Sequence, residues 1–439
     1  MKPKIVRGKR CALFTVVSTS IIASSLFMIF ANTFLQKSFL SHSPIVKSVD
    51  GSEYAKQENF VIYSENSSST NDQDIFQPIG EGSVTLRLPR VMFSESIKGL
   101  VSRTNLYEEV SIPKPHPIIP IGAAAQGNQI PYTGGQIFSI DQNLILYHIT
   151  NATFTSESVI IQDNDFYLFT QACHPRYWSM FYHSPPSVTL PYKIYNSAIC
   201  LGHQHSSDFG HWFLEVFPAY AIMPKDILQK SVVVVPFIRP HVIEGFKFLD
   251  IPKEHIVEGD NIVLHANNFY TMRYTFCGDL NKVLITKLRE LFIKRFDLGK
   301  NPPTEYLTFN RPNMSRCMKN YDEVRNALKE KFPKIDWKDG IYHKTLAEQA
   351  AYFDKVKFVF VVHGSVLANI IFMQVDTAIV DLQMEQWLLS FLWLSTYTGK
   401  YMVVGRDPRI SWRGLTPNVV DVSYVLELVE KAFQVAGFI

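Results

Sequence analysis

The sequence predicts an α/β protein with a doubly wound parallel sheet in its C-terminal third. Short apolar runs typical of buried strands alternate there with segments of helical periodicity, and these runs are EYLTFN, KIDW, KFVFVV and TAIVDL. Two of the helices begin with a capping box, formed by Asn320 with Glu323 and by Thr345 with Glu348, and Pro333 ends the first of them. Strands that alternate with helices of this length pair in parallel, because the crossover helix returns the chain to the end of the sheet at which the previous strand began.

The composition indicates a folded protein and excludes one that binds nucleic acid. The 439 residues are enough for two domains with cores of their own, and 46% of them are hydrophobic. The net charge of +3 depends on five basic residues within the first ten positions. Without them 38 Lys and Arg stand against 40 Asp and Glu, so the rest of the chain lacks the positive excess that nucleic acid requires.

An apolar segment near the N-terminus predicts a membrane anchor. No charged residue lies between Cys11 and Gln36, and residues 13–35 are long enough as a helix to cross the ~30 Å hydrocarbon layer. The basic cluster before this segment favours a cytoplasmic tail at residues 1–12 and a lumenal C-terminal part. The alternative is a cleaved signal peptide, whose apolar core would span only ~7–15 residues.

The segment after the anchor changes character twice. Residues 36–80 predict a stem, because a stretch rich in Ser, Asn, Gln and Asp buries too little apolar surface to offset its chain entropy. Between about 81 and 200, short apolar runs broken by Pro, Gly and Asn indicate strands and hairpins. A buried strand, SVVVVPFI, follows at 231–238, and a basic amphipathic helix at about 281–297.

A lumenal location gives meaning to the sequons and the cysteines. Asn66 and Asn151 are candidate N-glycosylation sites. A third sequon, at Asn313, lies in a loop that we assign below to ligand binding, and we expect it to stay unmodified. The lumenal cysteines are Cys173, Cys200, Cys277 and Cys317. Pairing of Cys173 with Cys200 is the local option, and buried free thiols remain the alternative.

The turn after the strand KFVFVV predicts an anion-binding site, since ligands of open parallel sheets bind beyond the carboxyl ends of the strands. His363 can donate a hydrogen bond to a phosphate oxygen, and Gly364 allows the phosphate to approach the backbone. Ser365 can cap the following helix, whose N-terminus attracts anions. Asn369 would face the same crevice or pack against a neighbour. A capped structural turn is the alternative.

A second loop at the same predicted edge carries two arginines. The strand EYLTFN ends at Asn310 and continues into Arg311 and Arg316, whose guanidinium groups match the oxygens of a diphosphate. The alternative is a solvated loop with two surface cations. Asp381 and Glu385, near the end of TAIVDL, are candidates to bind ribose hydroxyls, as acids at strand ends do in Rossmann folds.

Histidines and carboxylates cluster within residues 201–220. If HWFLEVF is helical, His211 and Glu215 lie one turn apart on the same face, and burial among aromatic side chains would tune the pKa of a general base. A structural His–Glu pair in a core helix is one alternative. The other is a zinc site, whose candidate ligands are His203, His205, His211 and Glu215.

These motifs, taken in order, resemble glycosyltransferase family 61. They are H-W-x-x-E…P (His211, Trp212, Glu215, Pro218), N-R-P…R (Asn310, Arg311, Arg316), H-G-x-x-x-x-N (His363, Gly364, Asn369), V-D-L, and Gly399-x-Tyr401. The resemblance spans about residues 200–405. Two features depart from the family pattern: Glu215 stands where some members have Asp, and Ser365-Val366 follows His-Gly where Ala-Gly is common.

The resemblance implies a GT-B architecture, in which two Rossmann-like domains face each other across a cleft. Residues 81–283 would form the acceptor-side domain and residues 284–439 the domain that binds the nucleotide sugar, preceded by the single transmembrane helix. A secretory-pathway transferase of this kind is expected to be a single-pass type II protein of the Golgi or endoplasmic reticulum membrane.

The implied activity is inverting transfer of a sugar, expected to be N-acetylglucosamine or xylose, from a UDP-sugar to a hydroxyl of a glycan or glycoprotein. By the family pattern Glu215, beside His211, is the catalytic base, while Asp208 and Trp212 would lie on the acceptor side. The cations of the two loops and the helix at Ser365 would stabilise the departing diphosphate, so we expect no metal cofactor.

Two further alternatives stay open. Asp163-Asn164-Asp165 has the form of the D-x-D motif with which GT-A transferases hold Mn²⁺, but the same residues suit a hairpin turn between SVIIQ and FYLFT. The second alternative is a membrane-anchored carbohydrate-binding protein without catalytic activity.

Overall fold

The computed structural model describes residues 76–87, 89–94, 96–121, 143–169, 187–273, 278–311, 316–384, 388, 390–410 and 418–439. The predicted tail, the predicted anchor and nearly all of the predicted stem lie outside these residues. The same holds for Asn66, Cys173, Cys277, Asn313 and Glu385. Within the described part, no helix is both long and apolar enough to span a bilayer.

The protein is built from two β-sheets with helices packed against them. The strands, numbered in chain order, are β1 (Gly80–Arg87), β2 (Val91–Phe93), β3 (Leu100–Asn105), β4 (Ile118–Ile121), β5 (Ile145–Thr155), β6 (Ile160–Gln162), β7 (Asp165–Leu168), β8 (Ser187–Cys200), β9 (Val232–Val235), β10 (Ile256–Glu258), β11 (Val263–Arg273), β12 (Glu305–Phe309), β13 (Trp337–Asp339), β14 (Val356–Val362), β15 (Ala378–Gln383) and β16 (Tyr401–Arg406).

The helices follow the same numbering. They are α1 (three consecutive segments, Phe209–His211, Trp212–Val216 and Phe217–Ala221), α2 (Lys225–Lys230), α3 (Pro240–Phe248), α4 (Lys282–Phe296), α5 (Tyr321–Lys331), α6 (Leu346–Phe353), α7 (Ser390–Tyr397) and α8 (Val422–Ala436). Short 3-10 helices span Gln204–Ser207, Lys253–His255 and Ser365–Phe372.

The larger sheet is mixed. Along its main path the strands run β10-β9-β8-β11-β5-β6-β7-β2, while β1 pairs with β8 and β3 pairs with β5. The four strands from β10 to β11 are parallel, and β11, β5, β6 and β7 continue as an antiparallel meander. All four valines of β9 are buried, as a continuous apolar run in a parallel strand requires.

The smaller sheet is parallel throughout its described strands and has the order β13-β12-β14-β15-β16-β4. The alternation of strands and helices predicted for the C-terminal third is therefore confirmed, as is the mixed α/β class. The edge strand β4 comes from far earlier in the chain and pairs with β16. No pattern in the sequence placed it there, because strand pairing over such a distance leaves no local signal.

Two details of the predicted C-terminal elements are wrong. The run KIDW was predicted to form a strand, but the strand β13 begins only at Trp337, the last residue of that run. The amide of Asn320 does not cap α5, because it bonds both backbone groups of Val420, accepting from the N–H at 3.0 Å and donating to the C=O at 2.9 Å. The box of Thr345 and Glu348 at the start of α6 is confirmed by reciprocal hydrogen bonds of 3.2 and 3.1 Å.

An aromatic cluster joins the helices of the two sheets, which belong to one compact unit of the chain. Phe213 of α1 and Phe292 of α4 stack with their ring centroids 5.6 Å apart, and both rings pack on Phe372 at 5.7 and 4.8 Å. Each of these side chains is at most 2% exposed, so each contributes roughly 1.5–3 kcal/mol through burial. This cluster holds α1 against the segment Ser365–Phe372.

Candidate functional site

The centre of the site is a histidine–glutamate pair on α1. His211 Nδ1 lies 2.6 Å from Glu215 Oε1, as the one-turn spacing predicts. The helix is wider than an α-helix here, since the N–H of Phe217 donates to the carbonyl of Trp212, five residues back. Pro218 accounts for the irregularity, because it has no N–H to donate to the carbonyl four residues before it.

Glu215 is buried, and both of its oxygens are engaged. Its exposure is 4%, and Oε2 accepts a hydrogen bond of 3.2 Å from the N–H of Gly278. His203 Nε2 also lies 3.2 Å from Oε2, close enough for an ion pair but poorly aligned for a hydrogen bond. Burial by itself would raise the pKa of Glu215, but the two neighbouring imidazoles lower it to about 2. The carboxylate is therefore ionised at physiological pH.

His211 is the member of the pair that meets solvent. Its side chain is 34% exposed, against 4% for the side chain of Glu215 behind it. Burial lowers the pKa of His211, but the hydrogen bond and the charge of Glu215 outweigh burial and raise the pKa above its ordinary value. The sequence predicted Glu215 as the general base, whereas His211 has the more exposed side chain of the two.

The neighbouring histidines occupy different positions around this pair. His203 is 1% exposed, and together with His211 and Glu215 it offers three ligand atoms within 4.8 Å of one another. This arrangement could hold a divalent metal ion. His205, a fourth ligand in the zinc hypothesis, does not join the group; its ring stacks on that of His211 at 5.0 Å.

The two residues predicted on the acceptor side differ in accessibility. Asp208 is exposed and immediately precedes α1, so its place on the acceptor side stays a prediction. Trp212 is 1% exposed and packs among Phe217, Tyr220 and Phe246, so the prediction that it contacts an acceptor is wrong. It lies on the face of α1 that is turned toward the core.

The second part of the site forms where β12 and β14 end side by side. Phe309 of β12 pairs with Val361 of β14, so two residues further along each strand Arg311 comes beside His363. The pairing register therefore brings together the two loops that the sequence assigned to one edge. Arg316 Nη1 donates a hydrogen bond of 3.1 Å to the carbonyl of His363.

Gly364 is required by the close approach of Arg311. A Cβ at position 364 would overlap with the guanidinium group, whereas the φ of 174° is extended and open to any residue. Burial lowers the pKa of Arg311, and among the described residues no hydrogen bond or salt bridge of its guanidinium group is found. Burial and the charge of Arg311 lower the pKa of Arg316 to about 10, which leaves both groups protonated at neutral pH.

His363 and Asp381 form a buried pair beneath this turn. Asp381 pairs with Val361 across the sheet and so shares a face with His363, whose Nδ1 lies 2.9 Å from Asp381 Oδ2. Asp381 is 0% exposed and also accepts a hydrogen bond of 2.9 Å from Gln383 Nε2. The prediction that Asp381 binds ribose is wrong, because the carboxylate is enclosed and orients His363 instead.

The segment after the turn is a 3-10 helix and not the predicted α-helix. Gly364 occupies the position before its first turn, and no side chain caps it, so the capping role predicted for Ser365 is wrong. Asn369 is 5% exposed, and its Nδ2 donates to the carbonyl of Val366 at 3.1 Å, so it packs internally and does not face a crevice. Asn310 likewise serves the loop, since its Oδ1 accepts from the N–H groups of Arg311 and Met318.

The two parts of the site meet where α1 begins. A Cβ added at Gly210 would lie 3.5 Å from Ser365 Oγ, so the backbone that carries His211 runs directly over the turn that carries Gly364. The site thus combines an orienting carboxylate and an accessible imidazole with two guanidinium groups. That arrangement suits proton removal on one side and stabilisation of a leaving anion on the other.

Two hydrogen bonds through Gly278 connect Glu215 to α7, and the sequence did not predict them. Gly278, which has a φ of 87°, donates its N–H to Glu215 Oε2, and its carbonyl accepts a hydrogen bond of 2.6 Å from Ser390 Oγ. No motif could have identified these residues, because they are far apart in the chain and meet only in the folded protein.

The remaining candidates fall outside this site. Asp163 and Asn164, at φ 50° and 66°, form the hairpin turn between β6 and β7, and the two aspartates point to different cations, Asp163 to Lys98 and Asp165 to Arg90, each at 2.5 Å. Asn151, the glycosylation candidate, is exposed in β5. Of the cysteines that the structure describes, Cys200 and Cys317 are buried free thiols.

Comparison with known protein families matches residues 209–380 to the family model Glycosyltransferase 61. Residues 209–380 belong to glycosyltransferase family 61. The family 61 segment begins at the first residue of α1 and ends within β15, so it contains the His211–Glu215 pair, both arginines and the turn at Gly364. The resemblance stated from the sequence is confirmed, and with it the enzyme class, a glycosyltransferase. Comparison with curated proteins gives no match.

Proposed function

We propose that this glycosyltransferase transfers a sugar, with inversion, from a UDP-sugar to a hydroxyl of a glycan or glycoprotein. The observation that carries the proposal is the contact of Gly210 with Ser365, which joins the base on α1 to the cationic turn at Gly364. N-acetylglucosamine and xylose are the sugars we expect, on the strength of the family resemblance alone.

The donor's diphosphate is proposed to bind at Arg311 and Arg316. Two guanidinium groups beside a glycine allow oxygens of the diphosphate to approach both the cations and the backbone. Their charge is most useful in the transition state, when negative charge develops on the departing UDP. His363, fixed by Asp381, stiffens the turn beneath them.

His211 is proposed as the general base and Glu215 as the residue that positions it. Glu215 Oε1 lies at Nδ1 of His211, which leaves Nε2 of the neutral imidazole to accept the proton of the acceptor hydroxyl. The hydroxyl oxygen then forms its bond to the anomeric carbon. The bond from that carbon to the diphosphate breaks on the opposite face, and UDP leaves with the electron pair.

The architecture and location are proposals as well. We propose a GT-B arrangement, which is supported by two sheets that both contain runs of parallel strands. The boundaries proposed from the sequence are 81–283 and 284–439. We also propose a type II anchor at 13–35 and residence in the Golgi or endoplasmic reticulum membrane, since a basic cluster precedes an uncharged apolar segment. Protease protection of intact microsomes would test this orientation.

The test of the activity is release of UDP by the purified full-length chain from UDP-N-acetylglucosamine and UDP-xylose, with and without glycan acceptors. We expect one donor to be turned over, and Arg311→Ala to reduce kcat/KM by ~10²–10³-fold. Arg295→Ala is the matched control, because Arg295 forms an exposed ion pair with Asp250. Binding of a sugar without turnover would favour the carbohydrate-binding alternative, and full activity of Arg311→Ala would contradict the donor site.

A metal-dependent reaction is the second candidate function. It is favoured by the three ligand atoms of His203, His211 and Glu215, which lie within 4.8 Å of one another. We expect activity to persist in EDTA, since guanidinium groups supply the positive charge at the proposed donor site. Stoichiometric zinc in the purified chain, together with loss of activity on chelation, would favour the metal.

A further inference from the structure

The loop that follows β13 lies against the strand that leads to Arg311. The N–H of Gly340 donates a hydrogen bond of 2.8 Å to the carbonyl of Thr308, and a Cβ at position 340 would overlap with the ring of Phe309. The backbone therefore lies directly on that ring. The N–H of Ile341 points to the hydroxyl of Tyr352 at 3.3 Å, which fixes the next residue of the loop.

This loop presents one aromatic side chain beside the arginines. The ring of Tyr342 packs on Phe309 with a centroid distance of 5.6 Å and an interplanar angle of 71°, and Phe309 stands two residues before Arg311. Burial raises the pKa of Tyr342 above its ordinary value, and the nearby charges of Arg311 and Arg316 oppose part of this rise.

Tyr342 is largely accessible to solvent although it packs on a buried ring. It is 52% exposed, whereas Phe309, on which it packs, is 1% exposed. Packing on Phe309 accounts for where the ring lies, but it leaves half of the residue uncovered. A flat apolar surface beside two cations matches a ligand that has an anionic part joined to a flat aromatic part, which is the chemistry of a nucleoside diphosphate.

We propose that Tyr342 stacks on the nucleobase of the donor while Arg311 and Arg316 hold its diphosphate, an inference that rests on the donor site proposed above. The loop after β13 thereby recognises the nucleoside part of the donor. The arginines contact only the diphosphate and cannot by themselves distinguish this donor from another diphosphate. Because stacking needs only the ring, the hydroxyl of Tyr342 is dispensable for this contact.

The test compares the binding of UDP and of inorganic pyrophosphate to the purified full-length chain by calorimetry. Tyr342→Ala is expected to weaken UDP binding by about tenfold and to leave pyrophosphate binding unchanged. Tyr342→Phe, which keeps the ring, should bind both ligands as the unsubstituted chain does. Ile341→Ala is the matched control, since Ile341 is the neighbouring exposed side chain at 57% and has no aromatic face.

The outcomes separate this inference from the donor site on which it rests. If Tyr342→Ala leaves UDP binding unchanged, or weakens UDP and pyrophosphate equally, the stacking role is overturned, while loss of both ligands in Arg311→Ala would keep the donor site. If Arg311→Ala retains both ligands, or the unsubstituted chain binds no UDP, the donor site and the stacking role are both overturned. Thermal unfolding of each variant shows whether a loss of binding reflects a loss of folded protein, and Tyr342→Phe decides the question if Tyr342→Ala is unstable.

Discussion

His211 Nδ1 lies 2.6 Å from Glu215 Oε1, and the side chain of His211 is 34% exposed, whereas that of Glu215 is 4% exposed. The family pattern had assigned proton removal to the glutamate. In the mechanism proposed above, the histidine removes the proton and the glutamate positions the histidine. An ionised carboxylate in this position orients the imidazole and raises its affinity for a proton.

The first prediction concerns the pH dependence of the rate. Neutral His211 is the active form, so kcat should rise as the pH increases through the pKa of His211, which Glu215 holds above its ordinary value. Glu215→Gln removes the negative charge and therefore lowers that pKa. We expect the acidic limb of the pH–rate profile to move to lower pH in Glu215→Gln, with a smaller maximal rate.

His211→Ala provides the companion measurement. Loss of a general base should lower kcat by ~10²–10⁴-fold and remove the acidic limb. His255→Ala, in the 3-10 turn Lys253–His255, is the control, and its profile should match that of the unsubstituted chain. An acidic limb that stays in place in both Glu215→Gln and His211→Ala would contradict the assignment of the base.

The second prediction uses the overlap between Gly364 and Arg311. Gly364→Ala adds a Cβ where the guanidinium group lies, without straining a backbone whose φ is 174°. We expect the variant to fold while its affinity for UDP and for pyrophosphate falls severalfold, because Arg311 must move. Gly82→Ala is the matched control, since nothing lies within 4 Å of its added Cβ. Unchanged affinity in Gly364→Ala would show that the position of Arg311 does not matter.

The third prediction tests the link from α7 to the catalytic pair. Ser390→Ala removes the hydrogen bond to the carbonyl of Gly278, whose N–H donates to Glu215. The loss of one such bond corresponds to about 1 kcal/mol, so we expect kcat to fall by about fivefold and the affinity for UDP to stay the same. Ser423→Ala, at the exposed start of α8, replaces a serine without touching the site. A fall in UDP affinity would point to a general loosening of the fold.

The fourth prediction concerns stability. Lys400 is 1% exposed, and burial together with the charge of Arg289 lowers its pKa well below the ordinary value. The unfolded chain therefore holds a proton that the folded chain binds less well, and the free energy of unfolding should rise with pH up to the unfolded pKa of Lys400. Lys400→Met should raise the unfolding temperature at pH 7 and flatten this pH dependence. Thermal melts between pH 6 and 9 measure both effects, and a lower unfolding temperature at pH 7 would contradict the prediction.

The sequence predicted the C-terminal elements well because their signals are local. Apolar runs mark β12, β14 and β15, and the box of Thr345 and Glu348 marks α6, since each signal depends on residues within a few positions of one another. The one-turn spacing of His211 and Glu215 was readable for the same reason. The predicted capping box at Asn320 was wrong because the Asn320 amide bonds the backbone of Val420, a hundred residues away in the chain.

By itself, the sequence determined the α/β class and the resemblance to glycosyltransferase family 61. It also predicted a general base on a helix and two arginines after a strand, and these roles stay predictions. The tertiary structure alone decided which side chains are accessible to solvent. It buried Glu215, Asp381 and Asn369, left His211 and Tyr342 partly exposed, and placed Arg311 against Gly364. The physical reason is that hydrogen-bonding potential and periodicity belong to a residue and its near neighbours. Burial and the energetic effect of a charge depend on side chains that come from distant parts of the chain.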